Sequence, residues 1–194
     1  MTDRMNPAAA AAHDPWEASR LFARRAVGLS LACVAFGLLT GCSGSAEQKQ
    51  YDVPEALCGI AVQQDLLSPL LPAGKKVTVE ERQPLPRRSE CRVKVDGEVA
   101  LLASREWWEQ GDGLSTVARS IPQLESAQLE DSTPYVYSGT GGAEEIKSCR
   151  SQKYADHVLF AAIQVYGKDV SDAAGMKKLI TAYSRGVASS DACR

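Results

Sequence analysis

An excess of charge of either sign is missing from this sequence. Its 22 Lys and Arg against 24 Asp and Glu leave a net charge of −2, which gives no basic stripe for nucleic acid to meet. Histidine is scarce: of two in the chain, only His157 follows residue 42. No pair among the later cysteines has the tight C-x2-C spacing of a structural zinc site, so neither a metal nor a cofactor is expected. No serine sits in a G-x-S-x-G elbow, which removes the usual signature of a serine hydrolase. No internal repeat is present. No apolar run reaches the roughly 20 residues that span a bilayer. What the chain does have is a 44% apolar fraction over 194 residues, enough for one packed domain and too apolar for general disorder.

The clearest signal is near the start. Arg20, Arg24 and Arg25 precede residues 26–39, a stretch of 14 residues without a charge. A short apolar core behind a positive flank is a secretory signal rather than a structural helix. Arg24-Arg25 also fits the start of a twin-arginine signal, although Ala26-Val27-Gly28 continue it poorly, so general secretion is expected. The apolar core closes on Leu39-Thr40-Gly41-Cys42. That tetrapeptide resembles the lipobox of bacterial lipoproteins, with Leu three residues before Cys and two small residues between. The resemblance implies that the Cys42 thiol takes diacylglycerol and that the chain is cut just before it. Residues 1–41, with their five consecutive alanines at 8–12, are then a removed signal. Residues 42–50, led by Ser43-Gly44-Ser45, read as a flexible tether. Residues 51–194 form the extracytoplasmic domain. Because each buried CH2 contributes about 0.8 kcal/mol, a diacylated Cys42 implies firm attachment to the outer face of the cytoplasmic membrane.

Cys33 falls in the signal and Cys42 at the lipid site, leaving Cys58, Cys91, Cys149 and Cys193. An even number in an exported domain points to disulfides. Three pairings are possible and the sequence does not choose among them. Sequential pairing, Cys58–Cys91 and Cys149–Cys193, is the expectation adopted, closing loops of 33 and 44 residues.

Periodicity gives the elements. Asp52, Pro54 and Glu55 suit the first turn of a short helix running through Cys58. Residues 62–71 read as one or two helical turns, and residues 75–81 as a strand. Residues 83–90, with Pro84 and Pro86, read as a loop. Val93 and Val95 alternate with Arg92 and Lys94 before Asp96-Gly97, a tight hairpin signature, and the return strand runs from Val99 to about Trp108. A strict two-residue turn would set Val99 and Leu101 on the wrong face, so a bulge or a longer loop is required. Residues 114–120 read as a helix, 135–138 as a short strand, and 138–142 (SGTGG) as a loop. Residues 144–149 and 157–166 read as a second strand pair. Asp169 to Asp172 cap a last helix whose stripe is Met176, Leu179, Ile180, Tyr183 and Val187.

The result is an α+β fold: an antiparallel sheet of about five strands with flanking helices. The arrangement is similar to that of small secreted lipoproteins of actinomycetes, on the lipobox, Cys58-Gly59, Cys91, the Asp96-Gly97 hairpin and the helix before Cys193. These are structural motifs, and no activity follows from them.

Candidate sites are few. Trp107 and Trp108 face opposite sides of a strand, so one is expected to be packed and the other to lie nearer a contact surface, where it can stack on a sugar, a peptide or a protein. Tyr135 and Tyr137 are further aromatics without a fixed neighbour. His157 opens an apolar strand, where a structural role is the plainer one. Glu80-Glu81 and Glu144-Glu145 are adjacent acids that point apart and form no natural dyad. The SGTGG stretch lacks the Lys-Ser/Thr ending of a phosphate loop. No catalytic residue is assigned. The expected function is a lipid-anchored, non-enzymatic binding or accessory domain at the cell envelope, meeting an envelope protein, a wall component or a small ligand. An envelope hydrolase and a structural or regulatory lipoprotein acting on a membrane neighbour are the alternatives.

Overall fold

A computed structural model describes residues 48–127 and 133–193. The signal segment, the lipobox with Cys42 and the tether as far as residue 47 lie outside the described residues, as does part of the acidic run at 123–134. The described chain is α+β, with a large antiparallel sheet, a two-stranded ribbon and three α-helices. None of these helices is long and apolar enough to cross a membrane.

The ribbon comes first. Strands β1 (Ala56–Leu57) and β2 (Ile60–Ala61) pair across Cys58 and Gly59, both with positive φ (48° and 85°). This corrects the helix expected through Cys58. Two successive left-handed residues make a tight hairpin turn, and Leu57 and Ile60 go into the core instead of onto a helix face. Helix α1 (Gln64–Leu67) runs directly into a 3-10 turn at Ser68–Leu70.

Six strands build the main sheet: β3 (Val77–Leu85), β4 (Arg88–Val95), β5 (Glu98–Glu109), β6 (Tyr135–Tyr137), β7 (Gly141–Ile146) and β8 (His157–Val165). Their order is β3-β4-β5-β8-β7-β6. The expected count of about five is therefore one short. The short edge strand β6 counts fully because β7 supplies its ladder, Tyr135 opposite Glu144 and Tyr137 opposite Gly142. The loop expected over 83–90 is mostly strand, since Leu85 pairs with Arg88 and only Pro86 and Arg87 turn the chain. Proline is tolerated there because β3 is a sheet edge. Strand β7 begins three residues earlier than expected and stops at Ile146, taking Gly141 and Gly142 out of the loop.

The register problem after Asp96-Gly97 is solved by a bulge. Val93 faces Leu101 while Lys94 faces Val99, leaving Ala100 without an opposite number on β4. One extra residue returns Leu101, Ala103 and Trp107 to the face that carries Val93 and Val95.

That face is covered by α3 (Ala173–Ala188). Asp172 caps it by accepting the Gly175 N–H at 2.9 Å. Met176, Leu179, Ile180, Tyr183 and Val187 are all buried, packed on the core that contains Leu101, Leu159 and Ile163. The opposite face is divided. Over β6, β7 and β8, helix α2 (Leu114–Arg119) and the turn after it bury Val117, Ala118, Ile121 and Leu124 against Val136, Ala143, Phe160 and Ala162. Over β3 and β4 that face is ionic. Glu90, buried, lies 2.9 Å from both Arg88 Nε and Arg92 Nη2, and Lys94 lies 3.1 Å from Glu80.

Two disulfides close the periphery. Cys58 is bonded to Cys91, tying the ribbon to β4, and Cys149 is bonded to Cys193, tying the loop after β7 to the segment after α3. Loops of 33 and 44 residues remove roughly 4 kcal/mol each of unfolded-chain entropy.

Candidate functional site

The two tryptophans do lie on opposite faces of β5. Trp107 points to the α3 side, is only 8% exposed and stacks at 5.8 Å on Tyr154. Trp108 is partly buried beside the α2 cluster, its ring edge-on to Phe160 at 6.5 Å. The ring partners of both are therefore internal. Tyr135 and Tyr137 do not join them; they pair with each other at 6.0 Å on the edge strand β6.

His157 opens β8, and its Nε2 lies 3.1 Å from Arg87 Nη1. A guanidinium can only donate, so Nε2 accepts and the ring proton sits on Nδ1. That nitrogen is buried without a partner among the described residues. The accepting nitrogen that a general base would use is thus engaged by Arg87. Tyr154 flanks the imidazole at 5.6 Å and donates its hydroxyl to Pro86 O at 2.7 Å.

The acidic pairs separate as strand geometry requires. Glu80 meets Lys94 and Arg82 on one face, and these cations hold its carboxyl below the usual range. Glu81 on the other face meets Ser89 and Arg105, each at 3.1 Å. Glu144 points toward α3, where burial raises its carboxyl above the usual range against the opposing pull of Ser184 and Arg185. Among the described residues no three His, Cys, Asp or Glu side chains gather in a metal-holding group.

The glycines of the SGTGG stretch serve packing. A Cβ on Gly142 would lie 3.0 Å from Ile180 Cβ and 3.1 Å from Met176 Sδ. The missing side chain lets α3 rest directly on β7. Ser138 closes the turn instead, its Oγ accepting from the N–H groups of Thr140 and Gly141 at 3.1 and 2.9 Å.

An open groove runs between α3, β6 and α1. It encloses about 1010 Å³ and is lined by Tyr135, Tyr137, Lys177, Lys178, Arg185 and a floor that includes Leu66 and Ala182. The Lys177 ammonium lies 5.4 and 5.6 Å from the centres of the two tyrosine rings, within cation–π range. The tyrosines were visible in the sequence as loose aromatics, whereas Lys177, Lys178 and Arg185 simply fall outside the apolar stripe of α3. Only the pairing of β6 with β7 brings the two groups together. A second cleft of about 940 Å³ lies at the other end of the α3 connection, lined by Pro72, Val99, Tyr166 and Val170 among others.

No protein-family model, curated protein or solved structure matches this chain.

Proposed function

We propose that this protein is a lipid-anchored binding or accessory domain on the outer face of the cytoplasmic membrane, attached through Cys42. The observation that carries the proposal is Leu39-Thr40-Gly41-Cys42 closing an uncharged stretch behind three arginines. The two disulfides support an oxidising, extracytoplasmic compartment. The chain arithmetic supports a domain held close to the bilayer. Lys49 is bridged to Gly74, and seven residues from Cys42 to Lys49 extend at most about 25 Å. The groove between α3 and β6 is the surface offered to a ligand, a wall component or an envelope protein.

The test is the non-reducing mass of the protein extracted from its own membrane. The expected species begins at Cys42, carries acyl chains and lacks the four hydrogens of two disulfides. A species that retains residues before Cys42, or that carries no lipid, overturns the anchor.

A further inference from the structure

The point where the chain enters the domain is fixed by hydrogen bonds. Lys49 is bridged to Gly74, and the Gln50 N–H donates to Gly74 O at 2.7 Å. Tyr51 donates its hydroxyl to Pro72 O. Asp96 ties this segment to the turn between β4 and β5. Its carboxylate accepts the N–H groups of Lys75 and Lys76 at 3.1 and 2.9 Å, and its own N–H donates to Lys76 O at 2.8 Å. The Tyr166 N–H donates to Ala100 O at 2.8 Å, which brings the end of β8 to the same place. The entry point, the Asp96-Gly97 turn and Tyr166 therefore share one end of the main sheet. The opposite end carries the Pro86-Arg87 turn, Glu109 and His157, the last two paired across β5 and β8.

Strand β5 runs from one end to the other. At about 3.3 Å per residue, Glu98 and Glu109 are roughly 36 Å apart. The chain from Cys42 to Lys49 extends at most about 25 Å. With a lipid on Cys42, that chain is too short for the domain to stand on its far end. The end that holds Lys49 is the one kept near the bilayer.

What this end presents suits a lipid surface. Tyr166, 45% exposed, is one of three large apolar side chains that stand open among the described residues. It lines the cleft of about 940 Å³ together with Pro69, Pro72, Val99 and Val170. Gly167 lets two of these close in, since a Cβ there would lie 3.1 Å from both Pro72 and Val170. The Tyr166 hydroxyl donates to Gln164 Oε1 at 3.0 Å, which holds the ring in place. An apolar ring with a polar tip is at home at the boundary between water and lipid. Lys75, Lys76 and Lys168 are matched in number by Asp96, Glu98 and Asp169 around the cleft, so the attraction is apolar and needs no anionic lipid.

We propose that this end of the domain rests on the bilayer surface, with the Tyr166 ring among the lipid headgroups. The inference rests on the Cys42 anchor and adds an orientation to it, in which His157 and the Pro86-Arg87 turn face away from the membrane.

The test uses the protein purified from its own membrane, its acylation checked by mass, in vesicles of phosphatidylcholine that include a lipid with a nitroxide on its headgroup. Glu98→Cys and Glu109→Cys place a fluorophore at exposed positions on the two ends of β5. Cys58, Cys91, Cys149 and Cys193 are bonded and do not compete for the label. Quenching at position 98 is expected to be at least threefold stronger than at position 109, and unchanged in high salt. Tyr166→Ser is expected to lower the quenching at position 98 at least twofold. Tyr166→Phe keeps the ring and is expected to match the parent, which guards against a serine variant that fails to fold. Equal quenching at the two positions, stronger quenching at position 109, or quenching at position 98 that is indifferent to Tyr166→Ser overturns the proposal and leaves the anchor standing. So does a phenylalanine variant as weak as the serine variant. A mass without lipid overturns the anchor and this orientation together.

Discussion

Trp107 and Trp108 are neighbours in sequence that face opposite sides of one strand, the first ring 5.8 Å from Tyr154 and the second 6.5 Å from Phe160. They belong to different apolar clusters, one under α3 and one under α2. Their removal should therefore cost different amounts. Trp107→Ala opens a cavity in the main core and is expected to lose about 3–5 kcal/mol. Trp108→Ala, on the more exposed side, is expected to lose about half as much. Denaturant unfolding of the two variants measures the difference, and a larger loss at Trp108 would contradict the placement of both rings.

At Gly142 strand β7 and helix α3 approach closely. A methyl group there would press on Ile180 and Met176, two fully buried side chains that have little room to move. Gly142→Ala is expected to lower stability by about 1–3 kcal/mol and to reduce the melting temperature by several degrees. An alanine variant as stable as the parent would mean that α3 does not rest on β7 as described.

Local patterns carried much of the fold. The stripe from Met176 to Val187 has the helix period, and every member is buried in α3. The misplacement of Val99 and Leu101 called for a bulge or a longer loop, and the structure has a bulge at Ala100. Other features depended on distant partners. Asp52, Pro54 and Glu55 resemble a helix start, but Cys58 and Gly59 take left-handed geometry and the Cys91 bond draws the turn against the sheet. Pro84 and Pro86 suggest a loop until β4 is present to pair with Leu85. The candidate groove was least legible of all. Tyr135 and Tyr137 stand about forty residues from Lys177 and Lys178, and no local period connects an edge strand to the wet side of a helix.

The disulfides should act as independent braces. Cys58 and Cys91 join the ribbon to the sheet, and Cys149 and Cys193 join two segments at the far end of α3. Replacing either pair with serines is expected to cost about 4 kcal/mol by the loop-entropy account, with a lower unfolding midpoint in guanidinium. The parent protein treated with reductant should lose more than either paired variant does alone. A midpoint unmoved by reductant would show that neither bond contributes to stability.

Tyr183 makes stability depend on pH at the alkaline end. It is 1% exposed in the core beneath α3, and burial pushes its hydroxyl up to about 12 from an ordinary value of 10.0, with Arg105 drawing it partly back. The folded state therefore holds this proton more tightly than the unfolded state. Below pH 10 both states keep it and the contribution is constant. From about pH 10 to about pH 12 the unfolded chain releases it first, so stability falls as pH rises, by at most about 3 kcal/mol from this residue. Tyr51 and Tyr166, also raised chiefly by burial, contribute in the same direction and to a smaller extent because neither is sealed in the core as Tyr183 is. Urea unfolding at successive pH values, compared between the parent and Tyr183→Phe, isolates the core residue. The phenylalanine variant should show a shallower decline above pH 10 and the same curve below it. Superimposable curves across the whole range would mean that the Tyr183 hydroxyl ionises without leaving the folded state, and so that it is not sealed under α3.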